Sequence, residues 1–255
     1  MAPVMTTARV PTIFDKHRRV LRYRRAFKAN REGTAATWLD DEMVDDIIER
    51  VDFMRLPEGR AFILGELTNR LAPALGKRGI ATWEGGPDSL DEERPWIDPF
   101  FHYIFSVRTL STLNDLPGAL LHVRNALPEG GMFFAQLLGA GSLPTLRRIM
   151  LAADGDTPAA RIHPQIDNRA ATGLLERAGF KRQVVDTRTL TVRFSSFQRM
   201  ISDLRDQALT GILADRPPAL TRAALARAVA EFERLRDDQG KVSERFDILA
   251  LTAWR

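Results

Sequence analysis

The sequence predicts an α/β fold in which a largely parallel sheet is covered by helices on both faces. Short apolar runs alternate with segments of helical period along most of the chain, which is the pattern of parallel strands joined by crossover helices. Residues 132–138 form a nearly continuous apolar run, as expected of a strand buried on both faces. The length of 255 residues, with neither long polar linkers nor internal repeats, fits one such domain with an extension.

Two helices are predicted ahead of the first strand. Apolar residues recur at near-helical spacing among basic residues over 14–28, which indicates a basic amphipathic helix. A second helix follows, with Thr37 or Asp40 as its cap. We therefore divide the chain into a basic helical extension, residues 1–57, and an α/β domain, residues 58–255.

The remaining elements follow from local patterns. Gly65 ends the first strand, Pro117 fits the first turn of a helix, and Gly179 follows the end of another helix. Strands are predicted where short apolar or alternating runs end in turn residues: 60–64, 80–83, 103–107, 132–138, 183–185, 190–194 and 246–254. Helices are predicted where apolar residues recur at helical spacing: 69–75, 116–126, 170–178, 196–206 and 221–236.

The charge of the chain is unevenly distributed. The formal net charge is +4, yet residues 1–31 hold nine basic side chains and one acid, so the rest of the chain is slightly acidic. This concentration predicts that residues 9–31 dock onto an acidic partner or an anionic surface. Because the chain has no cysteine and its four histidines are scattered, disulfide scaffolds and thiolate metal sites are excluded and no metal site is expected. No apolar run approaches the length of a membrane span, which predicts a cytoplasmic protein, and the basic arm adds a membrane surface as a second location.

Gly65 and Glu84 are the candidate cofactor-binding residues. In an open parallel sheet, ligands lie beyond the carboxyl ends of the strands, near the first strand–glycine turn, with an acid about 20 residues further on for a ribose hydroxyl. Gly65 ends the first predicted strand and Glu84 ends the second, 19 residues later. The turn holds a single glycine, however, and an ordinary strand-to-helix turn is the simpler interpretation of it. The sequence identifies no catalytic residue.

Several segments carry a resemblance that runs nearly from end to end. They are Ile13-Phe14-Asp15-Lys16, Leu113-Asn114-Asp115-Leu116-Pro117-Gly118-Ala119-Leu120, Arg161-Ile162-His163-Pro164, Leu174-Leu175-Glu176-Arg177-Ala178-Gly179-Phe180, Val185-Asp186-Thr187-Arg188-Thr189-Leu190-Thr191-Val192 and Leu251-Thr252-Ala253-Trp254. In these the chain resembles class I S-adenosylmethionine-dependent methyltransferases. Within them it resembles the branch of the complex I assembly factor methyltransferase homologue and the malonyl-carrier-protein methyltransferase of biotin synthesis. The resemblance implies a Rossmann-like, seven-stranded sheet with an antiparallel last strand, S-adenosylmethionine as cofactor, and a lid-like loop at Arg161 and His163.

The departures from that family cluster at its cofactor site. Where the family usually reads D-x-G-x-G-x-G, this chain has Ile63 in place of the acid and Leu67 and Asn69 in place of the later glycines. Phe101 follows only 17 positions after Glu84, where the family fits a helix, a strand and a further crossover. We therefore expect one strand–helix unit to be missing and S-adenosylmethionine binding to be impaired.

Three functions remain open from the sequence. The first is a degenerate methyltransferase-like pseudoenzyme of the assembly-factor type, which acts through a protein partner. That partner would be an intact methyltransferase homologue or a respiratory complex subunit. The second is an active S-adenosylmethionine-dependent methyltransferase with a divergent pocket, since methyl transfer requires mainly proximity and orientation. The third is a binder of nucleic acid or of an anionic surface through the basic arm, where Tyr23 and Phe27 lie among arginines.

Overall fold

The computed structural model describes residues 11–96 and 101–255. In this part of the chain a six-stranded sheet is combined with eight α-helices. The strands are β1 (Gly59–Leu64), β2 (Ile80–Gly85), β3 (Tyr103–Val107), β4 (Met132–Leu138), β5 (Lys181–Phe194) and β6 (Val242–Trp254). The helices are α1 (Lys16–Arg31), α2 (Trp38–Met54), α3 (Leu71–Gly76), α4 (Leu116–Ala126), α5 (Pro144–Asp154), α6 (Asn168–Arg177), α7 (Phe197–Asp206) and α8 (Arg222–Arg234).

The order of the strands is β2-β1-β3-β4-β6-β5. Strands β1 to β4 are parallel, and the last strand, β6, runs antiparallel to both of its neighbours. The predicted mostly parallel sheet with an antiparallel last strand is thus confirmed. So is the loss of one unit, because the sheet has six strands and residues 86–96, which follow β2, contain only turns and loop. Among the described residues, β2 is therefore an edge strand.

Two layers of helices cover the sheet, as the sequence predicts. Every residue of β3 and β4 is buried, which explains why their apolar runs are continuous rather than alternating. Phe105 and Phe134 stack at 4.9 Å in the core under α2, α3, α5, α7 and α8. Ile104 and Phe133 point to the other face, into the core under α4 and α6.

Two local predictions needed correction. The segments 183–185 and 190–194 belong to one long strand, β5, which pairs with β6 along its length. The polar residues between them suggested a break, but this strand is largely exposed and tolerates polar side chains. Helix α5 was not predicted, although Leu146, Ile149, Met150 and Ala153 are spaced for one buried helical face.

Candidate functional site

The carboxyl edge of the sheet at β1 and β3 is the place where a ligand is expected. Strand order reverses there, because the chain runs from β1 outward to β2 and then returns to β3 on the other side of β1. Such a reversal opens a crevice beyond the strand ends in open α/β sheets. Gly65, which follows β1, and Val107, which ends β3, both line this crevice.

Gly65 allows close contact between segments of the protein itself. Its φ is +82°, and its N–H donates to the carbonyl of Gly85 at 2.8 Å. A side chain here would lie 2.0 Å from Thr109 Cγ2 and 2.8 Å from the Val107 carbonyl oxygen. The turn after β1 therefore packs directly on the turn after β3, and only glycine fits between them.

Glu84 lies on the neighbouring strand, β2, but its side chain does not line the crevice. It is exposed, and in the β1–β2 register it lies opposite Ile63. With the amide of Asn69 oriented to donate, the Asn69 nitrogen lies 3.1 Å from both Glu84 carboxylate oxygens. The structure thus places Gly65 in the crevice, whereas Glu84 is not among the residues that line it.

The carboxylate of Asp40 accepts hydrogen bonds from the backbone of the loop after β1. One oxygen of its fully buried carboxylate accepts from the backbone N–H of Leu67 at 2.8 Å and of Thr68 at 3.2 Å. The other oxygen accepts from Nε of Arg108 at 2.7 Å. Arg108 follows β3 with a φ of 67° and also donates to the carbonyl oxygen of Gly65 at 3.3 Å. Asp40 is therefore an internal ligand of this loop, and of the two helix caps that the sequence suggested, Thr37 is the one at the start of α2.

Glu66 fills the next set of donors in the same loop. Its carboxylate accepts from the N–H groups of Arg70 at 2.5 Å and Leu71 at 3.0 Å, at the start of α3, and from the hydroxyl of Thr68 at 2.9 Å. Burial raises the pKa of Glu66 above its ordinary value even though these hydrogen bonds oppose the shift. The position where the start of a helix ordinarily receives an anion is thus held by the chain's own carboxyl group.

Helix α1 is attached to residues 86–96, which we call the acidic segment. Arg19 makes a buried two-point contact with Glu92, at 2.6 and 2.7 Å, and also donates to Thr112 Oγ1 at 2.9 Å. Lys16 lies 2.6 Å from Glu93 and 3.0 Å from Asp91. The acidic segment occupies the chain positions of the missing strand–helix unit, so the basic helix has an acidic partner within its own chain.

The attachment of α1 places an aromatic side chain over the crevice. Tyr23 packs with Ala26 and with Leu67, which is 2% exposed. A side chain at Gly86 would come within 2.3 Å of the Tyr23 ring, so the ring lies directly on this glycine. Burial raises the pKa of Tyr23 strongly, and the carboxylate of Asp88 adds to the shift. Asp40, Glu92 and Tyr23 come together from distant segments, and no local sequence signal could have grouped them.

Within this crevice, beside the Tyr23 ring, a cavity of about 160 Å³ remains. It lies between the ends of β3 and β4, helices α5 and α7, and the loop around residue 163, and most of its wall is apolar. The side chains of Arg161 and His163, from the predicted lid-like loop, belong to its lining. Burial alone lowers the pKa of His163 to about 4, so its imidazole is neutral at physiological pH.

The comparisons with known proteins agree with this architecture. The chain is 28% identical to a malonyl-acyl-carrier-protein O-methyltransferase from Halorhodospira halophila over 258 residues, covering 91% of this chain and 86% of that protein. It is also 28% identical to the mitochondrial arginine-hydroxylase NDUFAF5 of Mus musculus over 171 residues, or 65% of this chain. The match spans about half the length of the mouse protein and of other curated relatives. No protein-family model matches the sequence.

A solved structure supports the fold. The 1,6-didemethyltoxoflavin-N1-methyltransferase of Burkholderia thailandensis, in complex with its substrate and S-adenosylhomocysteine, superposes with a TM-score of 0.52. The alignment covers 100% of this chain and 94% of that enzyme at 12% identity. The chain is thus similar in sequence to malonyl-acyl-carrier-protein O-methyltransferases and NDUFAF5 proteins and has the methyltransferase fold, as its resemblance implied. Among the described helices, none has the length and apolar character needed to cross a membrane.

Proposed function

We propose that this chain is a methyltransferase-fold protein that has lost productive S-adenosylmethionine binding and acts by docking onto a protein partner. The observation that carries the proposal is the position of Asp40, whose carboxylate takes the N–H groups of Leu67 and Thr68. In α/β folds the backbone donors of this loop ordinarily face the ligand. Here they are already satisfied, and binding a cofactor through them would deprive the buried Asp40 of two of its three hydrogen bonds and leave only the one from Arg108.

The shape of the crevice supports the same conclusion. Leu67 and Tyr23 pack together above the loop, and the Tyr23 ring lies on Gly86. The cavity that remains in the crevice, at about 160 Å³, is close in volume to an engineered cavity that holds benzene, a much smaller molecule than S-adenosylmethionine. The residues present therefore do not fit this cofactor unless α1 moves, and the Arg19–Glu92 pair opposes that movement.

A binding test separates this proposal from an active methyltransferase with a divergent pocket. S-adenosylmethionine is titrated into the full-length chain in a calorimeter, with the Halorhodospira malonyl-acyl-carrier-protein O-methyltransferase as positive control. We expect no heat of binding up to about 1 mM cofactor, equivalent to less than about 4 kcal/mol of binding free energy. Micromolar binding would overturn the loss of cofactor binding and favour the active enzyme.

We infer that the partner is an intact methyltransferase homologue, with a respiratory complex subunit as the alternative, and that they meet in the cytoplasm or at a membrane surface. Two large apolar side chains support a docking role because they face solvent: Phe53 at the end of α2 is 87% exposed, and Trp83 on edge strand β2 is 48% exposed. The basic arm offers less support for an anionic surface, since many of its charges are already paired. The paired residues of the arm are Lys16, Arg18, Arg19, Arg24 and Lys28.

Sedimentation velocity tests the partner directly. The chain is mixed with an intact methyltransferase homologue from the same organism, and a 1:1 complex is expected. Phe53→Ser and Trp83→Ser should each weaken the complex about tenfold. Leu121→Ser is the control, because Leu121 is 44% exposed but lies on α4 and not on α2 or β2. Two separate boundaries at every concentration, or equal weakening by the control, would contradict the proposed partner.

A further inference from the structure

The cavity beside helix α1 has the dimensions of a single small molecule. Its volume of about 160 Å³ is close to that of engineered apolar cavities that accept benzene. It lies at the carboxyl ends of β3 and β4, represented in its wall by Val107 and Leu138. A six-membered ring or a short alkyl chain would fill it, and a nucleoside would not.

The wall of the cavity is predominantly apolar. Helix α5 contributes Leu146 and Met150, and helix α7 contributes Ile201 and Leu204. Three of these four side chains are less than a tenth exposed, so the cavity is embedded in the core rather than laid over it. Apolar ligands gain free energy in such a site in proportion to the area that they remove from water.

The charged side chains of the wall are already neutralised. Three arginines line the cavity, and each has a carboxylate partner within 2.7 Å. The pairs are Arg19–Glu92, Arg108–Asp40 and Arg161–Asp154. An anionic ligand would have to compete with these carboxylates and give up its hydration, so the wall favours an uncharged ligand.

Two neutral polar groups in the wall are available to a ligand. Within the described part of the chain, the buried Oε1 of Gln165 has no hydrogen-bond partner. His163 packs edge-on against Phe14 with 5.7 Å between ring centroids, and burial alone accounts for its shifted pKa, without a contribution from hydrogen bonds or charges. Buried polar atoms are normally satisfied, so an unpartnered acceptor beside a cavity indicates a missing partner.

We propose that this cavity is a binding site for a small uncharged molecule, one ring or a short alkyl chain that carries a single hydroxyl-like group. The apolar body lies against α5 and α7, and the hydroxyl pairs with the neutral imidazole of His163, in a wall that also holds the unpartnered Oε1 of Gln165. Gly65 and Tyr23 also line this cavity, so the inference rests on the proposed loss of S-adenosylmethionine binding, which the cofactor titration tests separately.

Phenol is a suitable probe, with benzoate as a ring of the same size that is ionised at neutral pH and benzene as a ring without a hydroxyl. Binding to the full-length chain is measured by saturation-transfer NMR and calorimetry at pH 7. We expect phenol to bind with a dissociation constant at or below about 1 mM and benzoate to bind at least about tenfold more weakly. His163→Phe should bring the affinity for phenol down to that for benzene, a loss of about two- to tenfold, while benzene binding persists.

A filling variant locates the ligand. Met150→Trp should abolish phenol binding by occupying the cavity, whereas Leu151→Trp should leave it unchanged, because Leu151 is the next residue of α5 and is 54% exposed. Leu146→Phe provides a smaller filling change if Met150→Trp does not fold, as judged by circular dichroism. The proposal is overturned by undiminished phenol binding in the folded filling variants, by benzoate binding as tightly as phenol, or by no phenol binding up to about 10 mM.

Discussion

The buried pair of Arg19 and Glu92 holds helix α1 over the carboxyl edge of the sheet, and Glu92→Gln tests its contribution. The two contacts measure 2.6 and 2.7 Å, the Glu92 side chain is fully buried and that of Arg19 is 9% exposed. Glutamine retains one acceptor, places an NH₂ group against the guanidinium, and leaves the positive charge of Arg19 buried without compensation. Breaking a buried pair in this way costs about 3–5 kcal/mol of unfolding free energy.

Urea unfolding followed by circular dichroism and by tryptophan fluorescence measures this loss. The midpoint should fall by about 1–2 M for a chain of this size. Limited trypsin digestion at the arginines of α1 should also become faster, because the helix detaches more often. Asp88→Asn is the control: it removes the Arg24–Asp88 contact of 3.2 Å, which is largely exposed and contributes at most about 1 kcal/mol.

The double variant Arg19→Met/Glu92→Met separates the burial of a lone charge from the loss of the contact itself. Replacing both partners by apolar side chains should cost less than Glu92→Gln alone, since no unpaired charge remains. If Glu92→Gln loses no more stability than Asp88→Asn, the pair does not hold α1, and the account of the covered crevice is refuted.

Three further outcomes follow from individual positions. Burial alone would raise the pKa of Glu93, but the hydrogen bonds from Lys16 and from two backbone N–H groups outweigh burial and hold this pKa below its ordinary value of 4.5. Glu93 therefore contributes stability above that pH, and this contribution is lost as the pH falls. Glu93→Gln should flatten the acid limb of a curve of unfolding free energy against pH. Gly65→Ala should lower the free energy of unfolding by at least about 2 kcal/mol, because Gly65 has a positive φ and an added Cβ would lie 2.0 Å from Thr109 Cγ2. A loss below about 1 kcal/mol in a urea titration would contradict the close packing at this position. Gly173→Ala, in helix α6 with open space around it, should raise the melting temperature through a gain of about 0.5–1 kcal/mol, and a decrease would count against that helix.

Helices and strands were predicted most accurately where the spacing of apolar residues is most regular. The predicted bounds of β3, α4 and β4 agree with the structure, because a fully buried strand and a one-sided helix leave distinct periodicities. The missing strand was predicted by length alone, since the 16 residues between Glu84 and Phe101 cannot hold two crossovers. The long strand β5 was divided in two because its solvent-facing polar residues imitate a turn.

The sequence by itself therefore determined the class of fold, the concentration of positive charge at the start of the chain and the altered residues at the cofactor loop. The tertiary structure alone decided what those features contact. Glu92 meets Arg19 across 73 positions of the chain, and Asp40 reaches Leu67 across 27. Side-chain periodicity reports which face of an element is buried and carries no information on which distant carboxylate will lie beside it. For that reason the acidic partner of the basic helix emerged from within the same chain only once the helix was seen packed against the sheet.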